Sequence, residues 1–191
     1  TVSRQGLYHR HKIYYTNTMK FLHTGDLHLG KVFHDRSLIQ DQQHMLNQLI
    51  QELVAESEQS SGQDLFSQPY QALIIAGDVY DKLTPPPEAV VLFDNFLTTL
   101  RKKLPELHII IIPGNHDSSQ RLSFASTILK FQKIHIVSNM QEVLTPIIID
   151  SVVFYALPFL NSNFFADGQT HQQSMIKTAL DKILRFHQEH H

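Results

Sequence analysis

The sequence contains no cysteine. A disulfide framework, a thiolate zinc site and a cysteine nucleophile are therefore excluded, and any metal site must use His, Asp, Glu or Asn. The chain also lacks an apolar run near the roughly 18 residues that a membrane helix needs. Its first residues show no apolar segment followed by a small-residue cleavage site. We therefore expect a cytoplasmic protein that makes no contact with a membrane.

The composition is that of one globular domain with a sizeable core. Hydrophobic residues make up 42% and charged residues 18% of the 191 residues. The net charge is -2, but the first 18 residues hold Arg4, Arg10 and Lys12 without an acid. The rest of the chain holds the other 13 bases and all 18 acids, which gives it a net charge of -5. The body of the protein is therefore not an electrostatic DNA clamp by itself, and bound cations or a partner would have to supply positive potential.

Residues 1–18 lack apolar periodicity, and a strand-like segment begins just after Met19. We interpret residues 1–18 as an N-terminal extension outside the fold, since terminal segments are commonly poorly ordered. The alternative is a basic, tyrosine-containing arm that contacts nucleic acid. Residues 19–191 then form the folded part of the chain.

From Met19 onward, apolar runs alternate with helical patterns, which indicates an α/β fold with a parallel sheet. Short apolar strands are predicted near residues 20–24, 72–76 and 107–112, followed by a further strand at 134–137 and a hairpin that turns at Asp150-Ser151. Helices are predicted near 38–58, 85–104, 122–131 and 174–187, and a polar loop at 57–69. The fold class is thus layered, with β-sheets flanked by helices.

The first three strands each end in a glycine turn that carries ligand-type side chains. The turns read Gly25-Asp26-Leu27-His28, Gly77-Asp78-Val79-Tyr80-Asp81 and Gly114-Asn115-His116-Asp117. In an open α/β sheet, ligands bind beyond the carboxyl ends of the strands, so the three turns should converge. Oxygen and imidazole ligands without sulfur suit Mn, Fe or Zn better than Ca.

Each of these turns alone has an ordinary structural explanation. Gly-Asp is a common turn, and Asn readily adopts positive φ. The combination of three such turns, each directly after a strand and in this order, favours a dinuclear metal site. The other histidines, His23, His44, His108 and His135 among them, are expected to be surface or core residues.

The three motifs resemble those of the calcineurin-like metallophosphoesterases. Within that family, the sequence is more narrowly similar to the SbcD-type nuclease subunits. This similarity rests on Gly25 to Gly30, on Gly77 to Lys82 with the prolines and Glu88-Ala89-Val90 that follow, on Gly114 to Ser118 with Arg121-Leu122, and on Ala156 to Leu160.

The resemblance implies a role for each motif residue. Asp26 and His28 would bind one metal, Asp78 would bridge two, and Asn115 would bind the second. His116 would stabilise or protonate the leaving oxygen, and Asp81 would orient His116. The implied cofactors are two divalent cations, Mn²⁺ first, with Fe²⁺ or Zn²⁺ as alternatives.

The resemblance also implies an activity and partners. The activity is that of a metal-dependent double-stranded DNA exonuclease and hairpin endonuclease of DNA repair or recombination. The partners are double-stranded DNA and an ATPase of the SbcC type, and a homodimer is left open.

The family's later ligands are missing from this sequence. It contains no Gly-His-x-His turn, and His171 lies in a polar stretch rather than after a strand. We expect the chain to hold only the N-terminal part of the nuclease domain and to end before the strand that presents the next ligand.

Two alternatives to the nuclease assignment remain. One is a compact phosphatase or phosphodiesterase for small substrates, against which the neighbours Ser118, Arg121 and Leu122 argue. The other is a truncated chain that binds at most one metal weakly and has no turnover.

Overall fold

The computed structural model describes residues 19–59, 68–161 and 171–190. The predicted extension 1–18 and most of the predicted loop 57–69 lie outside the described residues. The elements in chain order are β1 (Phe21–Thr24), β2 (Val32–Phe33), β3 (Arg36–Ser37), α1 (Ile39–Gln59), β4 (Ala72–Ala76), α2 (Pro87–Lys103), β5 (His108–Ile112), α3 (Ser119–Leu122), α4 (Ser126–Lys130), β6 (Ile134–Ile136), α5 (Met140–Val143), β7 (Ile147–Ile149), β8 (Val152–Phe154) and α6 (Gln172–His190).

Four parallel strands form the main sheet in the order β1-β4-β5-β6. The registers place Thr24 beside Ile75 and Ile75 beside Ile111. Because the strands are parallel and in register, their carboxyl ends lie at one edge of the sheet. The turn that follows each strand therefore begins at that edge, as the sequence predicts.

The sheet separates two apolar layers. Alternate side chains of β4 and β5, such as Leu73, Ile75 and Ile109, pack with the buried faces of α1 and α2. The side chains between them, such as Ala72 and Ile110, pack with the hairpin β7–β8 and with Ile183 of α6. The alternation is that of a strand buried on both faces. The parallel α/β class predicted from the sequence is confirmed.

Strand β1 is an edge of the described sheet, and Phe21 at its start is 48% exposed. The structure differs from the predicted elements in three places. The helix predicted near 122–131 is two short helices, α3 and α4, separated where Ala125 adopts a left-handed conformation with φ of 59°. The hairpin β2–β3 and the single turn α5 are additional elements.

Candidate metal and phosphoester site

Main-chain hydrogen bonds join the three turns at the carboxyl edge of the sheet. The N–H of Asp26 donates to the carbonyl of Gly77 at 3.1 Å, and the N–H of Gly77 donates to the carbonyl of Ile112 at 3.0 Å. The N–H of His28 donates to the carbonyl of Asp78 at 2.9 Å. The side chains that follow the three strands are thus held on a continuous main-chain network.

Three of the predicted ligands occupy left-handed backbone conformations. The φ values are 54° at Asp26, 44° at His28 and 48° at Asp78, the last directly after Gly77 at 84°. Such a conformation costs a non-glycine residue roughly 1–2 kcal/mol, and it persists only where the surroundings impose it. Strain of this kind is concentrated at functional sites, and three of the eight non-glycine residues at positive φ in the described part of the chain are predicted ligands.

Gln42 on α1 braces the first turn from within the fold. Its amide nitrogen donates to the carbonyl of His28 at 2.7 Å and to that of Leu27 at 3.3 Å. Its amide oxygen accepts from the N–H of Gly30 at 3.0 Å. Gln42 is 8% exposed, so these bonds satisfy a buried amide and fix the strained turn. The sequence alone does not single out Gln42, because its only signal there is a glutamine on the apolar side of a helix.

Asp26, His28 and Asp78 form one cluster of ligand atoms. Nε2 of His28 lies 3.8 Å from Oδ1 of Asp26 and 3.7 Å from Oδ2 of Asp78. The Asp26 side chain is 81% exposed and that of Asp78 only 11%. One ligand therefore faces solvent while the other is held within the fold, so the cluster is open on one side.

A second cluster contains His28, Asp81 and His116. The carboxylate of Asp81 lies 3.3 Å from Nδ1 of His28 and 3.6 Å from Nζ of Lys31. The ring of His116 is 4.9 Å from that of His28, edge to face. His28 therefore stands between the two clusters, with one ring nitrogen toward each.

Asp81 contacts His116 through its main-chain carbonyl and not through its carboxylate. Nδ1 of His116 lies 2.9 Å from the main-chain carbonyl of Asp81, while the Asp81 carboxylate faces His28. A carbonyl accepts only, so Nδ1 of His116 must be the donor in this bond. The His116 ring is thereby oriented by the main chain of Asp81.

Asn115 lies in the turn that contacts Asp78 from the β5 side. The main-chain N–H of His116, the next residue, donates to Oδ1 of Asp78 at 2.9 Å. A Cβ placed on Gly114, the preceding residue, would overlap the same oxygen. Only glycine permits this approach. Asn115 itself is exposed, and its backbone is thus held between two residues that touch the Asp78 carboxylate.

Asp117 holds the turns of the site together through its carboxylate, a role that the sequence does not predict. Its Oδ2 accepts from the N–H of Val79 at 3.0 Å and of Gly114 at 2.9 Å, and its Oδ1 accepts from the N–H of Tyr80 at 2.9 Å. It is 5% exposed. Burial, together with the Asp117 and Asp94 carboxylates, raises the pKa of Tyr80 to about 12. Asp117 therefore joins the β4 and β5 turns by one buried carboxylate.

His171 does not belong to either ligand cluster found among the described residues. It is exposed just before α6, where its carbonyl accepts from the N–H of Met175 at 3.0 Å. His187, near the end of α6, contacts the hydroxyl of Tyr155 at 3.1 Å. The described residues that gather at the site therefore come from the three strand turns.

The donor set fits divalent cations. In each cluster the ligand atoms lie within 4.8 Å of one another, and carboxylate oxygens with imidazole suit Mn, Fe or Zn. Nδ1 of His28 is buried without a hydrogen-bond partner among the described residues, although burying such an atom unpaired is unfavourable. The site thus offers ligands for a cation and leaves at least one of them unsatisfied.

Comparisons with known proteins agree on one family. The model of the calcineurin-like phosphoesterases matches residues 19–185. The SbcD component of nuclease SbcCD from Staphylococcus saprophyticus is 32% identical over 177 residues, which cover 90% of this chain and 42% of that protein. The SbcD component from Staphylococcus epidermidis is 35% identical over 163 residues, covering 82% of this chain and 40% of that protein. The chain thus spans about two fifths of the length of these relatives.

Proposed function

Because the chain belongs to the calcineurin-like phosphoesterase family, we propose that it is the N-terminal part of an SbcD-type nuclease subunit. Its reaction is the metal-dependent hydrolysis of phosphodiester bonds in double-stranded DNA, as an exonuclease and as an endonuclease at hairpins. Its place in the cell is the cytoplasm, in DNA repair, recombination or replication. The family supports the hydrolase chemistry, and the two Staphylococcus relatives support the nuclease assignment.

The observation that carries the proposal is the convergence of three separate turns on one open cluster of oxygen and imidazole ligands. Asp26 and His28 follow β1, Asp78 follows β4, and the segment with Asn115 and His116 follows β5. Residues so far apart in sequence meet only because three parallel strands end together. A purely structural role would not need exposed and buried ligands to face the same point.

We assign the ligands as follows. Asp26 and His28 would hold one divalent cation, Asp78 would be shared between two, and Asn115 would contribute to the second. Manganese is the favoured metal. When bound, a pair of divalent cations activates water near neutral pH and offsets the charge of the phosphodiester. In the structure, Oδ1 of Asp78 already accepts from the main-chain N–H of His116, whereas Oδ2 faces Nε2 of His28.

His116 has the geometry for proton transfer. Its Nδ1 donates to the carbonyl of Asp81, so Nε2 is the nitrogen that gains or loses a proton. The exposed ring can meet an incoming substrate. We assign Nε2 of His116 to stabilise or protonate the leaving oxygen, with the Asp81 main chain fixing the ring.

A polar cleft beside the His116 turn is suited to a nucleic-acid backbone. It encloses about 700 Å³, and its lining includes Ser118, Ser119, Gln120 and Arg121. Hydroxyl, amide and guanidinium groups are common donors to phosphate oxygens. Because the chain beyond residue 18 carries a net charge of -5, local cations and Arg121 would provide the attraction that the overall charge does not.

We also propose an SbcC-type ATPase as one partner and a second copy of this chain as another. The dimer proposal is supported by an apolar surface on α4 and its flanks, where Phe124, Ile128 and Phe131 are 81%, 69% and 84% exposed. Aromatic side chains exposed together mark interaction surfaces. Light scattering of the wild type and of a Phe131→Ser variant tests this: equal monomer masses for both would contradict the dimer.

The proposed activity is tested by loading the purified chain with Mn²⁺ and measuring metal content and hydrolysis in one sample. The substrates are a blunt double-stranded DNA, a DNA hairpin and bis(p-nitrophenyl) phosphate. Two Mn²⁺ with DNA cleavage supports the proposal, whereas turnover of the small ester alone favours a small-substrate phosphodiesterase.

One Mn²⁺ or less without turnover would show that these 191 residues hold an incomplete site. The same assays on the longer protein then decide the activity. Absence of DNA cleavage there would contradict the nuclease proposal.

A further inference from the structure

Two histidines meet at the other end of the sheet from the candidate site. Nδ1 of His108 lies 3.1 Å from Nε2 of His135, and the two rings are nearly parallel, with an interplanar angle of 6°. His108 begins β5, and His135 is in the middle of β6. Because Ile110 is the register partner of His135, His108 is its diagonal neighbour on the same face.

The pair is separate from the phosphoester site. His108 and Ile112 are the first and last residues of β5, about 13 Å apart at the rise of a strand, and the metal-binding turn begins only after Ile112. The His pair lies on the face that carries the hairpin β7–β8, where Asp150 occupies the turn. A cation bound here would therefore not share a ligand with the other site.

The surroundings keep both rings neutral. Burial and the positive charges of Lys133 and Arg101 lower the pKa of His108, against the opposing effect of Asp150 and Glu106. Burial, His108, Lys130 and Arg101 lower the pKa of His135 to about 4. Neutral imidazole is the form that binds metals, so at pH 7 no proton must be removed from the pair before a metal binds.

Two of the nearby cations are already engaged. Nζ of Lys133 binds a carboxylate oxygen of Glu106 at 2.6 Å. The Arg101 guanidinium donates to the carbonyls of Leu104, Pro105, Leu107 and Gln132. Their charges are therefore partly compensated, and they oppose a bound cation less than free ammonium and guanidinium groups would.

We propose that His108 and His135 chelate one zinc-like transition-metal ion. Two Zn–N bonds of about 2.0–2.1 Å at a tetrahedral angle place their nitrogens about 3.3 Å apart, and the two ring nitrogens are already 3.1 Å apart. The separation of the nitrogens therefore matches, and each ring must tilt until its nitrogen lone pair points at the shared ion instead of at the other nitrogen. In the metal-free pair, one of the two facing nitrogens carries the proton of the hydrogen bond. When the metal binds, this proton moves to the other nitrogen of the same ring, so both rings stay neutral and the pair releases no net proton.

Asp150 is a carboxylate whose charge reaches His108, although it does not form a group of three ligand atoms within 4.8 Å with the two imidazoles. Its Oδ2 is bound by the side-chain amide of Gln71. Both residues line a cleft of about 430 Å³ together with His108, so water can reach the His108 side of the pair. Two imidazoles select Zn²⁺, Cu²⁺ or Ni²⁺ over Mn²⁺, whereas the carboxylate-rich phosphoester site accepts Mn²⁺.

The first test compares zinc content. The whole chain, His108→Gln, His135→Gln and the surface control His44→Gln are each equilibrated with up to three equivalents of Zn²⁺, and bound metal is measured after gel filtration. The wild type and His44→Gln should each retain one more equivalent than His108→Gln and His135→Gln. Equal zinc content in all four proteins overturns the proposal.

The second test needs no variant and so does not depend on their folding. The ring nitrogens of the wild-type chain are followed by long-range ¹H–¹⁵N correlation during the zinc titration. Nδ1 of His108 and Nε2 of His135 should both move to the position of metal-bound nitrogen, at a lower zinc concentration than the exposed histidines. Unchanged resonances for these two atoms at three equivalents contradict the site.

Discussion

The main-chain N–H of His116 donates a 2.9 Å hydrogen bond to Oδ1 of Asp78. The carboxylate that we assign to two cations therefore also holds the turn that carries the proposed proton donor. Both residues follow strands that are neighbours in the sheet, so the bond fixes the spacing between the ligands and the reacting group. Under the proposed assignment, metal binding and catalysis would be coupled through this one side chain.

Replacing Asp78 by Asn separates the charge of this residue from its hydrogen bond. The amide oxygen can still accept from His116, but the negative charge that binds cations is lost. We expect lower Mn²⁺ content, by at least one ion where the site holds two, and cleavage reduced to background. Metal analysis and DNA cleavage measure both, with the exposed Asp181→Asn as the charge control. Unchanged Mn²⁺ content would contradict the ligand assignment.

Replacing His116 by Ala removes the proposed proton donor and leaves the main-chain N–H that donates to Asp78. We expect metal content to stay at the wild-type level and turnover to fall about 10²–10⁴-fold, the usual contribution of a general acid. The effect should be smaller for a substrate with a good leaving group such as p-nitrophenol. An His116→Ala variant with full activity would disprove the assigned role.

Replacing Asp117 by Asn converts one of the two carboxylate oxygens that accept from three main-chain donors into an NH₂ group. The amide NH₂ group would face N–H groups that now donate to the carboxylate. Loss of charged hydrogen bonds in a buried site should lower the free energy of unfolding by about 2–4 kcal/mol. Urea denaturation measures it, with the exposed Asp94→Asn on α2 as control. Equal stabilities would mean that the two turns are held together by other contacts.

Stability should fall in acid because of the His108–His135 pair. The native pKa of His135 is about 4, whereas an unfolded histidine titrates near 6.5. Between these pH values the unfolded chain takes up a proton that the native chain resists, so stability declines as the pH falls from about 6.5 to about 4. Below that range the contribution of His135 is constant.

The matched variant for this pH dependence is His135→Gln, which cannot titrate. In the same interval its unfolding free energy should depend less on pH. The slope of that free energy against pH should be smaller than in the wild type by the equivalent of up to one bound proton. Urea midpoints at four pH values between 4 and 7 provide the slopes. Parallel curves for the two proteins would contradict the depressed pKa.

Deleting residues 1–18 tests the proposed domain boundary. We expect the shortened protein to keep its melting temperature, since the elements of the sheet begin at Phe21. Calorimetry of both forms provides the comparison. A decrease of more than about 4 °C, which for this size is over 1 kcal/mol, would assign the segment to the folded unit.

The sequence predicts the sheet well because its strands are short, apolar and followed by glycine turns. It misses β2–β3 because each strand has two residues and the turn uses His34 and Asp35, both at positive φ, instead of the usual Asn-Gly. The single turn α5 carries a signal that was available: the side chain of Asn139 accepts from the N–H of Glu142, as expected of a capping residue.

The residues that brace the site are less visible in the sequence than those that we expect to form it. Ligand types at strand ends are recognisable by chemistry alone, whereas the role of Gln42 depends on the packing of α1 against the first turn. The His108–His135 contact likewise requires the register of two strands, which depends on how the strands align across the sheet. Position within the tertiary structure, rather than residue type, distinguishes these side chains.

The order β1-β4-β5-β6 is the order in which a ribosome makes the strands. Each new strand adds to the outer edge of the one before, so none has to wait for a later segment or be inserted between two others. All the candidate ligands and His116 lie before residue 117. The cluster of ligands can therefore assemble during synthesis, while the residues beyond β5 are still being added.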